Sequence, residues 1–140
     1  MTASPGSLIR VAYVTRAMLR ARPDTLFVFG DNMQRRGYGG QAAAMRGEPN
    51  AVGIPTKWAP SIAPAAFFAD SDWDRREVRD AIDSAFIRLA DALRAGRSVA
   101  IPADGLGTGR AELATRAPRI AAAIAARIAR LEAIAASPAS

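Results

Sequence analysis

The sequence predicts an α/β fold with a partly parallel sheet. Short apolar runs read as strands, Leu26-Phe27-Val28-Phe29 and Ser98-Val99-Ala100-Ile101 being the clearest. Two long segments place their apolar residues at helical spacing on one face. Glycine-rich stretches follow two of the strands. Strands alternating with helices are the mark of α/β organisation.

In order, residues 1–7 form a small polar tail, expected to be flexible. Leu8 to Val14 is a strand by its β-branched and aromatic content. Arg16 to Arg22 holds a turn of helix before Pro23-Asp24 breaks it. The stretch from Thr25 to Arg46 then organises the chain. Its strand, Leu26 to Phe29, is ended by Gly30-Asp31-Asn32. A basic, glycine-rich turn follows, Arg35-Arg36-Gly37-Tyr38-Gly39-Gly40, and a short helix starts near Gln41. Ala51 to Ile54 is a third strand, ending at Pro55-Thr56-Lys57-Trp58, with a proline-punctuated loop after it. Ser71-Asp72-Trp73-Asp74 has capping-box spacing. The helix beyond it buries Val78, Ile82, Ala85, Phe86, Leu89 and Leu93, presents its charges to solvent, and stops at Gly96. After the fourth strand, Pro102 to Arg110 is a second glycine-rich loop. Pro118 opens a last helix with Ile120, Ile124, Ile128, Leu131 and Ile134 as its buried stripe. Residues 8–135 thus form one domain, and 136–140 a second flexible tail.

Composition narrows the chemistry. The 140 residues include no cysteine and no histidine. Disulfides, thiolate metal sites and imidazole bases are therefore excluded, and neither a metal nor a cofactor is expected. The net charge is +6, and of 19 basic residues only Lys57 is not arginine. Such a balance suits a phosphorylated or nucleic-acid partner, and it is equally what a GC-rich genome produces. The N-terminus lacks the pattern of a signal peptide and no apolar run is long enough to span a bilayer, so a cytoplasmic protein without a membrane partner is expected.

Three constellations carry the candidate site. The first loop, with Asn32, Gly37, Gly39, Gly40 and Gln41, offers backbone N–H groups to an anion, its glycines allowing close approach. The second, Asp104-Gly105-Leu106-Gly107-Thr108-Gly109, suits a diphosphate; it is neither a Walker loop nor a Rossmann fingerprint. Thr56 and Lys57 stand at a strand end, where a lysine with neighbouring arginines is a candidate nucleophile. Asp31 and Asp104 adjoin the glycine loops as candidate acids or bases, or as partners of a ribose hydroxyl. If the strands are parallel neighbours, these loops converge on one rim.

Together these residues resemble the macrodomain superfamily. Phe27-Val28-Phe29-Gly30-Asp31-Asn32 through Gly37-Tyr38-Gly39-Gly40-Gln41-Ala42 is similar to that family's ribose-binding asparagine and following loop. Ile54-Pro55-Thr56-Lys57 resembles the strand-end lysine of the branch that removes ADP-ribose from protein carboxylates and DNA bases. Ile101-Pro102 and Gly105-Leu106-Gly107-Thr108-Gly109 resemble that branch's diphosphate loop. The chain is also similar to small macro-like proteins of phages and prophages. The resemblance implies a three-layer α/β/α sandwich with a mixed, largely parallel sheet, an ADP-ribose cleft at the strand ends, and Lys57 as nucleophile. The place of the branch's catalytic aspartate holds Gly109-Arg110-Ala111-Glu112, and no acid stands near Val14-Thr15, where the family's adenine-contacting aspartate falls.

The expectations are an ADP-ribosyl hydrolase acting on a macromolecule, a non-catalytic binder of ADP-ribose or a related nucleotide, or a basic nucleic-acid interaction protein. An ADP-ribosylated protein or nucleic acid is the implied macromolecular partner.

Overall fold

The computed structural model describes residues 4–109 and 111–137. The outermost residues of the expected tails, 1–3 and 138–140, and Arg110 of the second glycine loop lie outside the described residues. Residues 4–7 already lie on the domain: the Gly6 N–H donates to Leu93 O at 2.8 Å, and Ser7 O accepts from the Val99 N–H.

The core is a sheet of four strands, β1 (Leu8–Val11), β2 (Leu26–Asn32), β3 (Ala51–Lys57) and β4 (Val99–Pro102), in the order β1-β4-β2-β3. All neighbouring strands run parallel, with Leu8 opposite Val99, Leu26 opposite Val99, and Phe27 opposite Ala51. The one antiparallel pairing among the described residues is an isolated bridge between Lys57 and Phe67. Among the described residues five helices surround the sheet: α1 (Arg16–Ala21), α2 (Ala42–Met45), α3 (Arg76–Arg94), α4 (Leu113–Arg116) and α5 (Pro118–Ala136).

Strand alternation explains the layering. Along β2, Leu26 and Val28 join one apolar cluster while Phe27 and Phe29 join another. Val52 and Ile54 of β3, with Val99 and Ile101 of β4, enter the first cluster, and Ala100 enters the second. Successive side chains point to opposite faces, so an unbroken apolar run means that both faces are covered. The larger cluster lies under α3 and α5, through Ile82, Leu89, Leu93, Ile120, Ile124 and Leu131. The smaller one lies under α1 and α2, through Leu19, Ala42 and Met45. The result is a three-layer α/β/α sandwich.

Both long helices follow the sequence pattern. All six apolar residues expected to be buried in α3 are buried. The helix closes in a Schellman arrangement: Gly96, at φ +87°, donates to Leu93 O, and Arg97 N–H to Ala92 O. Pro118 is the first residue of α5, where its missing N–H costs nothing. Arg127 is half-buried against the Trp73 ring and pairs with Asp83 at 2.5 Å. The segment with capping-box spacing is a 3₁₀ turn (Asp70–Asp74), in which Asp72 Oδ2 accepts from Ala69 N–H and Trp58 Nε1–H. No helix among the described residues is long and apolar enough to cross a membrane.

The start of α5 is tied to that turn by Arg119, whose Nη2 meets Asp74 Oδ1 at 2.7 Å and whose N–H donates to Asp70. The hydrogen bond and charge of Arg119 hold the Asp74 carboxyl below its ordinary value of 3.8. A carboxylate with a depressed folded pKa contributes stability above the unfolded value and loses it as pH falls through the folded one. Wild type is therefore expected to exceed Asp74→Asn in denaturant midpoint at neutral pH, and the gap to close below about pH 4. A gap independent of pH would assign the effect to packing.

Candidate functional site

Three strand ends meet on one rim. The loops after β2, β3 and β4 enclose a cleft of about 460 Å³, within the range of small-molecule sites. Because β2 lies between β4 and β3, parallel order alone brings these loops together.

Both strands that frame the cleft run further than their sequence suggests. Gly30-Asp31-Asn32 belongs to β2, and Pro55-Thr56-Lys57 to β3. The register slips here: Asp31 faces Pro55 and Asn32 faces Lys57, so Thr56 is the extra residue. Such a bulge re-aims side chains. Thr56 turns inward, is buried, and donates through Oγ1 to Asp31 O at 3.1 Å.

Asp31 lines the cleft with its carboxylate already engaged. Its side chain is 2% exposed and lies between two guanidinium groups. Arg46 Nη2 pairs with Oδ1, and Arg35 Nη1 reaches Oδ2 at 3.2 Å. The Asn32 N–H also donates to Oδ1. The two arginines then grip the backbone around the cleft. Arg46 Nε donates to Gly37 O at 2.6 Å, Arg46 Nη2 to Arg36 O at 3.2 Å, and Arg35 Nη1 to Gly53 O at 2.6 Å. Asn32 Nδ2 adds a fourth bond, to Arg36 O at 2.8 Å. With these carbonyls engaged, Asp31 is an anchor for the first glycine loop. The carboxylate expected as a general acid or base, or as a partner of a ribose hydroxyl, is thus one that pairs with Arg35 and Arg46.

No backbone N–H from Arg36 to Gln41 finds an acceptor among the described residues, nor does any from Leu106 to Gly109. Gly37 has φ +96°, Gly40 φ +57°, Gly105 φ +88° and Gly107 φ +73°, a region open mainly to glycine. The following helices α2 and α4 span four residues each, so the donors are those of the loops, not of a long helix end.

Of the expected ligand-binding residues, Asn32, Gly37, Gly39, Gly40, Gln41 and Thr56 line the cleft, and Gly105, Gly107, Thr108 and Gly109 line it from the other side. Leu106 does not: it is buried in the larger core cluster, holding the second loop down. Asp104 is exposed and stands outside the lining; its carbonyl accepts from Thr108 Oγ1 at 2.9 Å. Of the three residues expected to be catalytic, Asp104 is the one outside the lining. Glu112 pairs with Arg116 at 2.8 Å and does not line the cleft. Gln41 also has a structural duty, since its Oε1 accepts the Gly30 N–H at 2.8 Å.

Two residues of the lining have chemistry to offer. Asn32 is 6% exposed, and its Oδ1 is buried with no hydrogen-bond partner in the described structure. A buried, unpaired acceptor is costly. Lys57 lines the cleft, its Nζ donating to Ser61 O at 2.6 Å and lying 4.5 Å from the centroid of the Phe67 ring. Among the described residues no group of three or more carboxylates stands close enough to hold a metal.

A family model matches residues 9–127, which include all three loops. The chain belongs to DUF7831, a family of unknown function. No curated protein and no solved structure matches it. For this DUF7831 chain the site must therefore be interpreted from its own residues. Arg46, which lines the cleft and holds Gly37 O and Arg36 O, is not singled out by the sequence. It is one of eighteen arginines, and nothing local distinguishes it from the rest.

Proposed function

We propose that the cleft binds ADP-ribose or a closely related nucleotide. The observation that carries this reading is the pairing of two glycine loops, whose N–H groups over 36–41 and 106–109 have no acceptor among the described residues, with the buried and unsatisfied Asn32 Oδ1. The loops suit a diphosphate and Asn32 a ribose hydroxyl. Arg36, Arg46 and Lys57, all lining the cleft, give it the positive field that an anionic ligand requires. The resemblance of these loops to those of macrodomains supports the same ligand.

A second reading is favoured by the place of Lys57 in the lining. Here the protein removes ADP-ribose from a macromolecule: the uncharged Nζ forms a bond to the anomeric carbon as the bond to the macromolecule breaks, a proton from the amine passes to the departing group, and water then displaces Nζ to release the sugar. Asp31 is committed to Arg35 and Arg46, and Asp104 lies outside the lining. Binding is therefore the reading with more support.

Calorimetric titration of ADP-ribose, with NAD and AMP beside it, tests both. Micromolar binding of ADP-ribose is expected for wild type. Retained binding with loss of release from an ADP-ribosylated substrate in Lys57→Ala would favour the hydrolase. Absence of heat with all three ligands would refute the nucleotide reading.

A further inference from the structure

We propose that Tyr38 and Ile62 form a base-recognition lip at this cleft, against which a nucleobase lies while the phosphates enter between the glycine loops. The inference rests on the nucleotide reading above and adds the residues that select a nucleotide over a sugar phosphate.

Among the described residues four large hydrophobic side chains are exposed: Tyr13, Tyr38, Ile62 and Ile87. Single exposed apolar residues are ordinary, but grouped ones mark binding surfaces. Two of the four, Tyr38 at 68% and Ile62 at 89% exposure, line this one cleft. They belong to a joined rim. A Cβ placed on Gly37 would lie 2.8 Å from Pro60 Cβ, so the loop after β2 and the loop after β3 touch there. Tyr38 follows that contact in one loop, and Ile62 lies two residues past it in the other. The Lys57 Nζ bond to Ser61 O, the residue between Pro60 and Ile62, helps to hold the second loop in place.

The rest of the cleft fixes the kind of occupant. It joins apolar, exposed rim residues to cations at Arg36 and Lys57 and to unpartnered N–H donors. A ligand matching all of these carries an anionic part and a flat apolar part in one molecule. Phosphate or a sugar phosphate would leave both rim side chains in water. A base on an aromatic face gains stacking that depends on the ring and not on the phenol hydroxyl.

The experiment is calorimetric titration of ADP-ribose, AMP and ribose 5-phosphate into wild type, Tyr38→Ala, Tyr38→Phe and Ile62→Ala, with thermal melting of each variant. Both side chains are exposed, so melting is expected to be unchanged. Tyr38→Ala is expected to weaken ADP-ribose and AMP by about fivefold or more. Ribose 5-phosphate should be unaffected, Tyr38→Phe should bind as wild type does, and Ile62→Ala should show a smaller loss confined to the two nucleotides. Equal weakening of all three ligands, or no change for either nucleotide while wild type binds them, would overturn the lip. Failure of wild type to bind any of the three would instead bring down the nucleotide reading, and the lip with it.

Discussion

Asp31→Asn is expected to lower folding stability by about 3–5 kcal/mol. The carboxylate is almost fully buried and both its oxygens face arginine. Desolvating such a charge is unfavourable by itself, and the pair is retained only through good geometry and satisfied partners. Removing the charge while keeping the shape leaves Arg46, itself only 14% exposed, without its counter-ion. The melting temperature should fall by roughly 10 °C or more. Nucleotide binding should weaken in parallel, because Arg46 holds Gly37 O and Arg36 O in place. A catalytic acid would behave differently: its amide variant would fold and bind normally and lose only turnover. Denaturant midpoints and calorimetry on the one variant separate these outcomes, and normal stability would refute the anchor.

Gly107→Ala is expected to strike the opposite wall. Gly107 has φ +73°, and a Cβ there would sit 2.9 Å from Leu113 Cβ and Cδ2. Left-handed backbone costs an alanine about 1–2 kcal/mol, and overpacking a tight contact about 1–3 more. Leu113 is buried and cannot retreat freely, and its N–H donates to Gly107 O at 2.9 Å. The strain should therefore move the second glycine loop and α4 together, with loss of stability and of nucleotide affinity in the same variant. Gly109→Ala is the control, since its Cβ would meet nothing within 4 Å. If the two variants melt and bind alike, the loop is not held as described.

These two residues also show where the sequence is legible. The layers are, because β2 and β4 are continuous apolar runs and α3 and α5 keep their stripes over nineteen residues each. The strand ends are not. Gly30-Asp31-Asn32 and Pro55 have the local chemistry of turns, but tertiary partners override it: Arg35 and Arg46 neutralise Asp31, and Pro55 sits in a strand at the border of the sheet. The cleft could be located because glycines mark backbone that must approach something closely, and ten of the eleven expected ligand-binding positions line it. Leu106 is the exception, since an apolar residue amid glycines carries no sign of which way it points. The roles of the carboxylates were the least legible. Asp31 and Asp104 have similar neighbours in sequence, and only folding separates a buried anchor from an exposed loop residue.

Pro55 has a further consequence, for the solubility of the sheet. An open sheet ends in strands whose outer N–H and C=O groups can template pairing with another molecule, and proteins that aggregate often do so there. In this order the borders are β1 and β3. β1 is four residues long, too short to recruit a stable partner strand. β3 is longer, but Pro55 has no N–H to give, and its end at Lys57 is already bridged by the returning chain at Phe67. Both borders are thus poor templates for edge-to-edge pairing.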